Sequence, residues 1–445
     1  MSLNWVKEEQ NEPKRPSASA NFDCFYRHRT AKEPKFTTFS FGISGFPSLS
    51  LPASMTHLSR FLILLLGTSF ALADTTELYR DVSETALPIA ATKLRSMDAE
   101  MGDIDGDGDL DIFVAMEFSK NLLLVNRGDG TFADGSSRLP DPVHDSEDIA
   151  LGDFDADGDL DAIIVAEDDR TDLYYRNNGE GHYATHSLPP AEVTNGINHG
   201  DLDGDGDPDL ITANAGASNA VWLNHACDFT LMPHGVTPQE TTSQDVQLGD
   251  LDGDGDLDLV EANEGPNRVL LNRGDGKFIV SQHALPDIQS RETRQAAIGD
   301  VDGDGDLDIV FGNVFFGFSR RQGDEANGFA NRLFLNLGDA TFKVSDGLPE
   351  DQIQSAHIDL VDLDHDGDLD IIATSIEELR QPGTGRVHAY LNDGAGTFID
   401  QTAKVFPDTF HGNGFDVAVG DVNGDGKVDL YLANRIGEDR LLLAQ

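Results

Sequence analysis

Cysteine is almost missing from this chain: 445 residues contain two. That count excludes a disulfide-built scaffold and a cysteine-ligated zinc module. Positive charge is also scarce, with 31 Lys and Arg against 80 Asp and Glu and a net charge of −49. So acidic a chain repels nucleic acid and anionic lipid, and neither is expected as a partner. Tryptophan occurs twice, and no apolar run reaches the roughly twenty residues that cross a bilayer. No serine elbow, phosphate-binding loop or zinc-ligand spacing occurs either. What fills the chain is aspartate, glycine and short alternating apolar stretches.

The start of the chain is of a different kind. Met55–Arg60 is a short basic lead, Phe61 to Leu72 is apolar, and Ala71-Leu72-Ala73 has the small-x-small form of a cleavage site. Residues 55–73 therefore read as a signal peptide, with a mature chain from Asp74 that is secreted or at the cell surface, periplasmic or extracellular. Residues 1–54 precede that signal and read as a non-native or disordered extension; the alternative is a cytoplasmic tail on a membrane anchor. Removing 1–73 takes away eight basic and five acidic residues and moves the charge from −49 to −52. Cys24 goes with it, so Cys227 is left alone and no intrachain disulfide is possible. Metal is the remaining staple for such an exported fold.

One stretch organises the rest: Gly102-Asp103-Ile104-Asp105-Gly106-Asp107-Gly108-Asp109-Leu110-Asp111, repeated from Asp153, Asp201, Asp250, Asp300, Asp362 and Asp421. Counted from the first aspartate, positions one, five and nine are acidic in every copy and position three in all but the last, and position six is always glycine. Alternate carboxylates on a tightly turning backbone converge on one point, which is the chemistry of a calcium loop. The expected ligands in the first copy are Asp103, Asp105, Asp107 and Asp111, with the carbonyl of Asp109 at position seven. The second copy offers Asp153, Asp155, Asp157, Asp159 and Asp161 in the same roles, and the third Asp201, Asp203, Asp205, Asp207 and Asp209. The fourth has Asp250, Asp252, Asp254, Asp256 and Asp258; the fifth has Asp300, Asp302, Asp304, Asp306 and Asp308. Asp362, Asp364, Asp366, Asp368 and Asp370 form the sixth. The seventh has Asp421, Asn423, Asp425, Lys427 and Asp429, and its lysine stands where only a backbone carbonyl is needed. About seven Ca2+ ions are expected. Seven acidic turns that bind nothing are the plain alternative, but their carboxylates would repel strongly without a cation.

The loop starts are spaced 50, 48, 49, 50, 62 and 59 residues apart. A period near fifty with alternating apolar residues predicts propeller blades. In the second copy, Asp148–Gly152 predicts a first strand, Ala162–Ala166 a second, Leu173–Tyr175 a third, and His182 to Leu188 a fourth after the Asn178-Gly179 turn. Phe132, Tyr183, Phe229, Phe278, Phe342 and Phe398 recur after that turn and read as core between blades. The seventh unit has first, second and third strands at Asp416–Gly420, Val428–Ala433 and Arg440–Leu443 and then ends. Tyr79–Pro88 matches Phe398–Pro407 in its aromatic start, aspartate and closing proline, so the N-terminal strand is expected to complete the last blade. The prediction is an all-β, closed seven-bladed β-propeller over residues 74–445, a monomer with a calcium loop between the first and second strand of each blade.

These loops, with the N-x-G-x-G-x-F turn downstream, resemble the FG-GAP/VCBS repeats related to the propeller of integrin alpha subunits. The resemblance covers nearly all of 75–445. It implies a calcium-loop propeller in a secreted or cell-surface protein that is adhesive or scaffolding, and it names no ligand. Integrin propellers carry such loops in only some blades, so integrin partners do not carry over.

Strand order puts the calcium loops and Asn-Gly turns on one face. The opposite face holds the irregular loops, including insertions at Val314–Asn331 and Ser375–Arg386, and irregular loops on a rigid scaffold are where ligands bind. Arg291, Arg294, Arg320, Arg321 and Arg380 fall there with Phe315, Phe316 and Phe318, in positions suited to an acidic glycan or a protein's acidic segment. The alternative is a loop that folds its phenylalanines inward and pairs its arginines locally. Five residues before each loop stand Asp98, Asp148, Gly196, Asp245, Gln295, His357 and Asp416. They are read as a ring at the mouth of the channel that either caps local turns or holds a cation. His144, His199, His357 and His411 are expected on the open face. His357 or His411 with Asp416 would carry acid–base chemistry if the protein were instead a polysaccharide lyase or phosphoesterase-like enzyme. Each histidine also has a plain reading as a solvated loop residue.

Overall fold

The computed structural model describes residues 77–445, apart from 93–94, 141, 168–170, 187, 189–191, 226, 239–241, 287–291, 315–329, 350–353, 376–384, 408–409 and 411–413. The chain divides into two compact units, 1–70 and 71–445, and every described residue lies in the second. The signal-peptide and extension readings thus fall outside the described residues.

The second unit consists of seven four-stranded antiparallel sheets. Blade 1 runs Ser96–Gly102, Asp111–Met116, Leu122–Asn126 and Phe132–Asp134. Its second strand is buried at all six positions. A strand covered on both faces has to be continuously apolar, and Ile112 to Met116 is. The first strand is only partly buried, and Asp98 to Met101 line the central cavity. In six blades the pairing of first and second strands slips by one residue just before the channel-ring position, as between Ser96 and Asp98. Such a bulge re-aims the side chain that follows it.

Apolar clusters sit at the boundaries between neighbouring blades. Phe113, Leu123 and Ile104 of blade 1 pack with Ile164, Tyr175 and Tyr183 of blade 2. Ile112, Leu124 and Phe132 of blade 1 likewise pack with Tyr431, Ala433 and Leu441 of blade 7. All six post-turn aromatics are buried, as the repeat predicted.

The seventh sheet takes its outer strand from the start of the unit: Tyr79, Arg80 and Asp81 pair with Ala444, Leu443 and Leu442. The likeness of 79–88 to 398–407 extends into structure. Each is a three-residue strand followed by one helical turn, Ser83–Ala86 and Thr402–Val405. Asp81 Oδ1 accepts from Ser83 N and Oγ, and Asp400 Oδ1 accepts from Thr402 N and Oγ1. That side-chain turn closes each of these two strands after three residues. In blade 2 the fourth strand covers only Ala184–His186.

Candidate functional site: the acidic loops and the channel

Each acidic loop joins a first strand to a second. Its form follows from main-chain donors: Gly204 N and Gly206 N donate to the position-one Asp201 at 2.8 and 3.1 Å, and the same pattern recurs at Asp250 and Asp300. Position six needs a left-handed backbone, and Gly108 has φ +97°. Ligand atoms of Asp103, Asp105 and Asp107 converge within 4.8 Å of one another, as do those of Asp153, Asp155 and Asp157 and of Asp250, Asp252 and Asp254.

Position nine has a second task. Asp209 accepts from Leu202 N at 2.9 Å and from Asn224 N at 2.8 Å, which ties the loop to the end of the third strand. Asp111, Asp258, Asp308 and Asp370 do the same. Burial pushes Asp111 up to about 7 and Asp209 to about 6, against the pull of these donors. Each oxygen keeps a lone pair, and a cation beside it would restore the charged form. Position seven faces elsewhere: a Cβ on Gly128 would stand 2.6 Å from Asp109 Oδ2, so this side chain lies against the neighbouring turn. That agrees with a carbonyl, not a side-chain, role at position seven.

The donor set fits Ca2+. Four buried carboxylate oxygens, Asp103 Oδ1, Asp105 Oδ1, Asp302 Oδ1 and Asp364 Oδ1, have no hydrogen-bond partner. Buried polar atoms rarely stay unpaired. These belong to positions one and three, where the spacing predicts metal ligands.

The asparagine after the third strand carries a role that sequence reading missed. Asn177 Nδ2 donates to Ile104 O of the preceding blade's loop at 2.8 Å; Asn224, Asn272, Asn336 and Asn392 repeat the bond to Phe154, Leu202, Leu251 and Val301. The signal was present as an asparagine in six of seven repeats, but it was read only as part of a turn.

The channel ring links neighbouring blades, and two of its members also bond locally: Asp148 Oδ1 accepts from Ile149 N at 2.8 Å and Asp245 Oδ1 from Val246 N at 2.7 Å. Ile149 N donates to Asp98 Oδ2, Ile197 N to Asp148, Ala296 N to Asp245, Ile358 N to the Gln295 side chain, and Ala99 N to Asp416, at 2.7–3.1 Å. His357 Nδ1 lies 2.9 Å from Asp416 Oδ1. The ring, with Glu100, Asn198, Gln247 and Asp359, lines a cavity of about 330 Å³. Burial and neighbouring carboxylates push Glu100 up to about 8, and burial pushes Asp148 to about 7 and Asp245 to about 6. Burial works against a charge on His357, but Asp416, Asp359 and Asp245 hold its pKa above the usual value.

Among the described residues, His144, His199 and His357 are not the open-face residues expected. His357 is 3% exposed, neither ring nitrogen reaches solvent, and the residue lines the channel cavity. His144 is buried, with Nδ1 2.9 Å from Ser146 Oγ. His199 stacks edge-on against Phe154 at 5.4 Å, and burial lowers its pKa. Arg294 lines a smaller cavity of about 190 Å³ at the channel mouth with Glu147, Glu167 and Glu264. Arg291, Phe315, Phe316, Phe318, Arg320, Arg321, Arg380 and His411 lie outside the described residues. The stems of both insertions are pinned. Asn331 accepts from Asn313 N at 3.0 Å and donates to Ser355 Oγ at 2.8 Å, and Ser375 N donates to Arg386 O at 2.9 Å.

Seven sheets with acidic loops between their first and second strands define a repeat propeller. The chain matches the FG-GAP-like repeat family over residues 103–164, 201–261, 250–311 and 379–432, half of its length, and belongs to that family. No curated protein matches it. Among solved structures, it is similar to an Agrocybe aegerita lectin that recognises non-reducing terminal N-acetylglucosamine. Identity there is 21% and the TM-score 0.50, covering 72% of this chain and 85% of the lectin. BBS1N, solved in complex with ARL6DN, is similar at 13% identity and TM-score 0.51, covering 83% and 97%. These likenesses show the fold alone.

Proposed function

We propose that this is a secreted, calcium-braced propeller that binds a glycan or protein ligand on the face away from its acidic loops. The observation that carries the reading is the set of unpaired, buried carboxylate oxygens at Asp103, Asp105, Asp302 and Asp364, in loops whose backbone is already held by its own amides. Positions one, three, five and nine of each loop, with the position-seven carbonyl, would hold Ca2+. The ion supplies countercharge to carboxylates that otherwise repel. The pairing of Tyr79–Asp81 with the last strand, and the packing of blade 1 on blade 7, support a ring closed by the N-terminal strand. Closure leaves no bare sheet edge. Cleavage after Ala73 would deliver the exported chain, and N-terminal sequencing of the secreted product checks this.

The ligand is placed at the insertions of blades 5 and 6. Their stems are pinned by hydrogen bonds, and their arginines and phenylalanines suit a carboxylate- or sulfate-bearing partner. That glycans and proteins are bound on this architecture is seen in the lectin and in BBS1N. The test is a screen of acidic glycans in millimolar calcium with wild type and an Arg320→Ala/Arg321→Ala variant. Binding lost in the variant, with calcium binding intact, supports the site. Binding that survives there but fails in Asp148→Asn/Asp245→Asn moves the site to the acidic channel mouth.

A further inference from the structure

The turn beside the third acidic loop holds an imidazole. The residue after the boundary asparagine is arginine in blades 1 and 4 (Arg127 and Arg273), and of the six such positions only blade 3 has histidine, His225. His225 Nδ1 lies 3.0 Å from Asp205 Oδ2. Ligand atoms of His225, Asp205 and Asp207 all fall within 4.8 Å of one another. These groups come from two segments whose spacing is fixed. Asn224 N donates to Asp209 Oδ1 at 2.8 Å, and Asn224 Nδ2 donates to Pro208 O at 3.1 Å and to Phe154 O at 2.8 Å. Within the loop, Asp207 N donates to Asp205 Oδ1 at 3.0 Å. The main chain therefore fixes where His225 leaves the turn, and its imidazole meets position five through the contact with Asp205. His225 is 65% exposed, so an ion pair with Asp205 would contribute little by itself.

The donor set differs in kind from that of the other loops. An all-oxygen loop suits a hard cation such as Ca2+. One imidazole nitrogen with two carboxylates suits a borderline divalent ion such as Zn2+, because imidazole is a poor ligand for a hard ion. Position seven meets calcium through its carbonyl in the proposed loop, so the Asp207 carboxylate is not needed there. We propose that His225, Asp205 and Asp207 form a zinc-class metal site next to the calcium loop of blade 3. Three protein ligands leave at least one position for water or for a donor from a bound molecule. The proposal shares Asp205 with the calcium reading, and the test separates the two.

Mature protein saturated with Ca2+ is titrated with Zn2+ alone by calorimetry, and with Co2+ by its visible absorption. The expected result is one saturable Zn2+ equivalent that His225→Gln weakens at least tenfold, as loss of even an outer-shell partner does. The calcium-dependent rise in Tm is unchanged in that variant. Arg273→His in blade 4, beside Asp254 and Asp256, is expected to add a second equivalent. Zn2+ binding that His225→Gln leaves unaltered overturns the proposal. So does Zn2+ binding seen only after calcium is removed, since the metal is then competing for the loop itself. Zn2+ binding that depends on His225 in a protein whose Tm ignores calcium would leave this site standing and sink the calcium reading.

Discussion

Asn126 Nδ2 donates to the carbonyl of Val422 at 2.8 Å, a bond from the first blade to the loop of the last. The same amide group donates to Leu110 O at 2.9 Å in its own loop, so one side chain ties two acidic loops together. Both atoms of the Asn126–Val422 bond are buried. Asn126→Ala leaves Val422 O without this donor, and the expected loss is about 1–3 kcal/mol. Asn126→Asp should be no better, because a carboxylate cannot donate. Urea unfolding of both variants checks this, and a midpoint equal to wild type would contradict the role.

Tyr79 bears on the other side of the same blade. It is fully buried, packs with Val361, Leu363 and Ile372 of blade 6, and donates from its hydroxyl to Val428 O at 2.9 Å. Tyr79→Ala is expected to cost about 3–5 kcal/mol, the range for a large buried aromatic. Tyr79→Phe should cost about 1 kcal/mol, the net worth of one hydrogen bond. Removing 77–88 should do more, exposing the edge of Arg440–Ala444 and causing aggregation that light scattering detects. A truncated chain that stays monomeric with unchanged melting would show that blade 7 does not need this strand.

The blades and their count were legible because each has an acidic loop and six of the seven have an aromatic after a turn. Tyr79 was placed because its ten-residue neighbourhood repeats that of Phe398. The linking role of Asn126 and its equivalents was not legible, because a turn asparagine looks alike whether it bonds within its own turn or across to another blade. The same limit applies to Asp98 and Asp148. Their spacing from the loops showed that they share a ring, but the acceptor role toward the next blade depends on the bulge and on how blades abut. His199 and His144 were read as open-face residues because polarity alone does not reveal an edge-on aromatic contact or a buried Ser146 partner.

Calcium should dominate the stability of this chain. Sites of extracellular type bind with dissociation constants of roughly 0.1–1 mM, so at about 2 mM free ion each contributes on the order of 1–2 kcal/mol. Several such sites rival the whole net stability of a domain. A chelator is expected to lower Tm sharply, and Mg2+ to restore little of it because it requires tighter octahedral geometry. Equal melting with and without chelator in calorimetry would refute the calcium assignment.

Gly347 is required by contact and not by backbone conformation. A Cβ there would stand 1.9 Å from the carbonyl oxygen of Gly396, where the exit of blade 5 passes the turn of blade 6. Phe398 N donates to Gly347 O at 2.8 Å in the same place. Gly347→Ala must push two backbones apart and weaken that bond, at an expected cost of about 1–3 kcal/mol. Gly108, whose φ is positive but whose surroundings are open, makes the comparison: its Ala variant should lose stability through backbone strain alone. If Gly347→Ala melts like wild type, the two segments do not hold this approach in solution.

The channel should make the metal-free protein more stable in mild acid. Glu100, Asp148 and Asp245 have folded values of about 8, 7 and 6, above the roughly 4 of an unfolded carboxyl. Between those limits the folded state binds more protons than the unfolded one, so stability falls as pH rises from about 4 to about 8 and is level above. His357 acts in the same sense. Its raised value gives stability that is complete below about 6.5 and is lost as pH climbs through the folded value. In chelator, Tm is therefore expected to rise as pH is lowered from 8 to 5.5. Relief of the overall negative charge would also raise it, and a Glu100→Gln/Asp148→Asn variant separates the two causes. The variant keeps the general charge effect but loses the channel contribution, so its Tm should change less steeply across that interval. Parallel slopes for wild type and variant would mean that the channel carboxyls titrate alike in the folded and unfolded chain.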